Sequence, residues 1–144
     1  MLQVVTNNKP NGMVIPPTMN SLRHHREYLT RMTMLLEQYI AHNRTAPSKD
    51  ILVIHETVVR AAYLIILFDG LLERYGDELP EHFDFADDME KVIHLSINDV
   101  NARTATDKIS IANYSEVNTT LQDMIDRYFY IPVKRSFWRS LLGG

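Results

Sequence analysis

The stretch Ile51–Leu72 constrains this chain more than any other feature. Of its 22 residues, 16 are apolar, it holds no proline, and Gly70 is its one weak point. The β-branched content would suit a pair of buried strands. The length without an internal turn signal instead predicts one helix over 49–75, with Gly76 as its stop. A helix apolar on nearly all sides needs cover on nearly all sides. Glu56, Arg60 and Asp69 lie inside it, and three charges make a membrane span expensive. The N-terminal residues carry no apolar run of signal-peptide length. The expectation is a soluble, cytoplasmic protein whose core is this helix.

Three further amphipathic segments flank it. Leu22, Leu29, Met32, Leu36 and Tyr39 recur at helical spacing and predict a helix over 18–43, capped by Asn20 or Ser21 and closed near Asn43. Leu35 and Ile40 widen its stripe, and His25 falls in the same seam. The link through Thr45-Ala46-Pro47-Ser48 is short, which favours an antiparallel hairpin with the second helix. A third helix over 87–101 carries Met89, Val92, Ile93, Ser96, Ile97 and Val100 on one face, with Asp87 and Asp88 at its positive end. A fourth, over 115–130, shows Val117, Leu121, Met124, Ile125 and Tyr128 before Pro132. Between these two, Lys108-Ile-Ser-Ile-Ala112 alternates like a strand and equally suits an irregular helix entry.

Four such helices in 144 residues predict an all-α bundle. Residues 1–17, rich in Asn, Pro and Gly, read as a flexible arm, 18–131 as the bundle domain, and 132–144 as a basic aromatic tail. Three partner helices barely cover a helix that is apolar all round. A homodimer burying part of helix two would supply the missing cover.

Composition excludes several chemistries. The chain has no cysteine, so disulfides, thiolate metal sites and cysteine nucleophiles are absent. A net charge of −3 gives no whole-surface attraction to nucleic acid. No glycine-rich phosphate loop and no Gly-x-Ser-x-Gly elbow occurs. His55-Glu56 begins like a zinc-protease motif but has Val59 where the second histidine belongs, so His55 reads as a satisfied core group. His82 with Asp84, Asp87 and Asp88 lacks the alternation and the glycine of a calcium loop. No catalytic residue, metal site or cofactor is expected.

Charge placement is the most informative surface feature. Residues 76–101 hold eight acids against Lys91, whereas 127–144 hold Arg127, Lys134, Arg135 and Arg139 and no acid. The function these features suggest is a non-enzymatic protein–protein interaction module, such as an adaptor, chaperone-like factor or inhibitor. Its expected contacts are Asp84, Asp87, Asp88 and Glu90 in the acidic loop and third helix, and Lys134, Arg135, Phe137, Trp138 and Arg139 in the tail. The alternative is nucleic-acid binding through Arg23, His24, His25, Arg26 and Arg31, a basic stripe at the start of helix one. The partner would then be a protein of unknown identity, with a second copy of the chain possible and nucleic acid the rival.

Overall fold

The computed structural model of the chain describes residues 21–43, 45, 48–102 and 109–129. The arm expected over 1–17 and the tail over 132–144, with Lys134, Arg135, Phe137, Trp138 and Arg139, lie outside them. Among the described residues four helices form: α1 (Leu22–His42), α2 (Ser48–Tyr75), α3 (Ala86–Ala102) and α4 (Ile111–Met124), the last continued by one π-helical turn, Ile125–Phe129. The fold is the expected all-α bundle.

Local chemistry sets the helix ends. The Ser21 hydroxyl accepts from His24 N at 3.4 Å, and Asn43 Nδ2 donates to Tyr39 O at 2.9 Å at the other end of α1. Gly76, at φ 64°, closes α2 in the left-handed region that side chains resist. Asp84 Oδ1 accepts from Ala86 N at 3.1 Å where α3 begins. Of the segment at 108–112, the described residues from Ile109 on form a helix entry: Ser110 accepts from Asn113 N at 3.1 Å, so α4 starts at Ile111, four residues earlier than its apolar period indicates.

Side-chain pairs fix the helix directions. Arg26 near the start of α1 is ion-paired with Asp69 near the end of α2, so these two helices are antiparallel. Thr57 lies by Tyr114 and Arg60 by Asn118 and Gln122, so α2 and α4 run parallel. Tyr114 Oη donates to Asp99 at 2.8 Å and Arg127 to Asp88 at 2.7 Å, which makes α3 and α4 antiparallel. It follows that α1 and α3, joined through Tyr28 and Ser96, are parallel. The main contacts close a ring in the order α1, α2, α4, α3. The connection from α2 to α3 therefore crosses the end of the bundle diagonally, over 76–85. It carries Leu79 and Phe85 into the core. There Phe85 meets Phe68 at 4.9 Å, Tyr128 at 4.8 Å and Phe129 at 5.9 Å between ring centres, so the π-helical turn delivers two aromatic rings to this cap.

The core uses the seams read from the sequence. Leu29, Met32 and Leu36 from α1, Met89 and Val92 from α3, and Val117, Leu121 and Met124 from α4 are fully buried. His25 is buried with them. The second helix departs from expectation. Only Ile54, Thr57, Ala61, Leu64 and Phe68 of α2 are buried, all on one side. Its main neighbours in the ring are two, not three.

Candidate functional site

The consequence is an apolar face turned outward. Leu52, Val59, Tyr63 and Ile66 are 57, 62, 47 and 66 % exposed. At about 100° per residue they lie on the side of α2 opposite the buried seam. Isolated exposed apolar residues are ordinary, but a contiguous stripe of large ones on a single helix is not. The most apolar window of α2 has mean hydropathy 2.0, and 28 % of it is buried. By length and composition alone α2 is also long and apolar enough to cross a membrane.

The stripe borders a groove of about 560 Å³ between α2 and the end of α4, lined by Leu52, His55, Glu56, Val59, Arg60 and Tyr63, with Gln122 and Ile125 on the far wall. A polar lattice holds that wall in place. Arg60 Nε donates to Gln122 Oε1 at 2.6 Å and its Nη1 to Asn118 Oδ1 at 2.9 Å. Asn118 Nδ2 donates in turn to Glu56 Oε1 at 3.2 Å, and the Glu56–Arg60 ion pair, one turn apart, is 3.7 Å. The guanidinium fork thus ties α2 to α4 along one edge of the apolar stripe. His55, expected in the core, is exposed at this groove because the stripe it belongs to faces out.

The acids expected to bind a partner are distributed differently. Asp84 and Asp88 are engaged within the fold, Asp84 at the start of α3 and with its carbonyl accepting from Tyr128 Oη at 2.7 Å, Asp88 by Arg127. Asp87 and Glu90 are exposed beside the positive end of α3. The basic stripe of α1 is partly consumed as well. Arg23 pairs with Asp77 at 2.9 Å and Arg26 with Asp69, while His24 and Arg31 face solvent. His25 is buried; desolvation, helped by neighbouring His24 and opposed by Asp84, pushes its pKa down to about 4. It is a neutral ring at physiological pH and supplies no charge for a phosphate. Among the described residues no group of three His, Asp or Glu side chains converges as a metal site.

The α2 face was only half legible. An all-apolar helix announces that some face will be covered from elsewhere, but the choice of face depends on which side α1 and α4 take. Comparison with protein-family models, with curated proteins and with solved structures finds no match to this chain.

Proposed function

We propose that this chain is a non-enzymatic protein-interaction module of the adaptor, chaperone-like or inhibitor kind, and that its docking face is the outward side of α2 with the adjoining groove. One observation carries this reading: Leu52, Val59, Tyr63 and Ile66 stand exposed in a line on a helix whose opposite side is the core. Burying such side chains is worth on the order of 1 kcal/mol each, which favours a protein surface as occupant. The groove beside the stripe gives a bulky side chain a place to enter, and the Arg60 lattice supplies a fixed polar rim.

The test is photocrosslinking in cells from a benzoylphenylalanine placed at Leu52, with the same probe at Glu90 on α3 for comparison. Adducts formed from Leu52 and not from Glu90 support the α2 face. Adducts from Glu90 alone move the interface to the acidic end, and no protein adduct from either position removes the interaction reading.

A further inference from the structure

We infer that the occupant of the α2 face is a second copy of this chain, packed antiparallel to the first about a two-fold axis through Val59. The inference rests on the docking reading above and names its partner.

The stripe has the symmetry that such a contact requires. A two-fold interface uses the same patch on both copies, so residue i of one helix meets residue j of the other and the reverse. Leu52 and Ile66 lie seven residues before and seven after Val59. Antiparallel packing centred on Val59 sets Leu52 against Ile66 of the second copy at both ends, with Val59 on itself in the middle. These three positions keep the seven-residue spacing of a helix–helix seam. The polar neighbours follow the same rule. Glu56 and Tyr63, three before and four after the centre, both lie toward the α4 side of the stripe. A two-fold axis across antiparallel helices brings like sides together, so each Tyr63 hydroxyl reaches the level of Glu56 of the other copy. Glu56 Oε1 is already held by Asn118, and its second oxygen is the acceptor for that phenol. The Tyr63 ring enters the opposite groove, next to the wall fixed by Arg60 and Gln122.

From Leu52 to Ile66 the stripe is about 21 Å long, four helical turns. Its four side chains at these exposures contribute roughly 90 Å² apiece, so the stripe alone gives the pair of copies about 700 Å², over half of what the smaller stable interfaces bury, and His55, Glu56 and Arg60 beside it add to the contact. The pattern also stops where the contact would: beyond Ile66 the outward positions turn to Asp69, Gly70, Glu73 and Arg74.

The chain has no cysteine, so single introduced thiols report the contact cleanly. In the full chain, Val59→Cys should form an intermolecular disulfide under mild oxidation, because residues on a two-fold axis approach their own copies within disulfide reach. Leu52→Cys should crosslink with Ile66→Cys when the two variants are mixed, and neither with itself. Met34→Cys, equally exposed but on α1, should form no intermolecular disulfide. Light scattering should give twice the 16.7 kDa chain mass. Val59→Glu, which sets like charges on the axis at an exposed position, should return the mass to one chain with unchanged helicity. A monomeric mass for the unaltered chain at 100 μM overturns the dimer, as does self-crosslinking of Leu52→Cys, the mark of parallel packing. Co-flotation of the chain with phosphatidylcholine–phosphatidylglycerol vesicles, abolished by Val59→Glu, also overturns it by giving the face to a bilayer. A monomer whose Leu52 probe labels a different protein leaves the docking reading standing; a monomer without any adduct removes both.

Discussion

The hydroxyls of Tyr28 and Ser96 meet at 2.7 Å inside the α1–α3 contact, with both residues buried. Ser96 also donates to Val92 O at 2.7 Å. A serine has one proton to give, so Tyr28 is the donor of the pair and Ser96 Oγ its acceptor. Ser96→Ala strands a buried phenol and should cost about 1–3 kcal/mol, whereas Tyr28→Phe removes the donor and should cost about 1 kcal/mol. Removing both partners should cost less than the sum of the two single changes. Urea unfolding of the four-member cycle measures that coupling, and additive losses would show that the two groups do not interact.

Phe85 anchors the diagonal crossover, being fully buried among Phe68, Tyr128 and Phe129. Phe85→Ala should destabilise the fold by about 3–5 kcal/mol, the range for a buried ring replaced by a cavity. Phe83, on the same loop but only partly buried, stacks on Phe129 at 6.2 Å, and Phe83→Ala should cost about 1–2 kcal/mol. Thermal or urea unfolding of the two variants gives the order directly.

The two described glycines at the end of α2 should respond in opposite directions. Gly70 is helical, and a methyl group there meets nothing within 4 Å. Gly70→Ala should therefore stabilise the protein by about 0.5–1 kcal/mol through helix propensity. Gly76, at φ 64°, also has space, but the backbone conformation itself resists a side chain. Gly76→Ala should destabilise by about 1 kcal/mol, with Gly76→Asn costing less.

These contrasts mark what sequence alone can supply. The seam Leu29, Met32, Leu36 and Tyr39 is visible because a half-buried helix writes its buried side into its period. The start of α4 is not, since Ile109-Ser-Ile111 alternates like a strand until the Ser110 cap decides the matter. The aromatic cap escapes period altogether: Phe83 and Phe85 sit in an acidic loop, and only the diagonal crossover brings them to Phe129. On α2 the pattern is saturated, because apolar residues on every side leave nothing to separate core from docking face. His55 and Val59 were indistinguishable from Ile54 for that reason, and the opposition of an acidic middle and a basic end did not single out Asp88 as the acid that Arg127 would engage.

Arg60 joins α2 to α4 through two amide oxygens rather than through a close carboxylate. Arg60→Lys should destabilise by roughly 1 kcal/mol, because an ammonium cannot serve both Gln122 and Asn118 with the fork geometry. The loss should persist in 1 M salt, since screening weakens ion pairs and leaves hydrogen bonds to neutral amides nearly intact. Urea unfolding at low and high salt separates the two origins. A difference between wild type and variant that vanishes in salt would assign the effect to the Glu56 ion pair instead.

His25 gives the fold a specific response to acid. Its ring is buried and its pKa is pushed down from 6.5 to about 4, chiefly by desolvation. The folded state therefore keeps the ring neutral between these values while the unfolded chain takes up a proton. Unfolding becomes easier as pH falls from about 6.5 towards 4, where the effect is complete, and stability from this group is fully present above about 6.5. The full shift corresponds to an upper bound of about 3 kcal/mol, since one pKa unit is about 1.4 kcal/mol. His25→Gln keeps a polar group of similar length and cannot titrate. Its unfolding free energy should change less between pH 7 and pH 4.5 than that of the unaltered chain. Equal slopes in the two proteins over this window would show that His25 is not the source of the acid sensitivity.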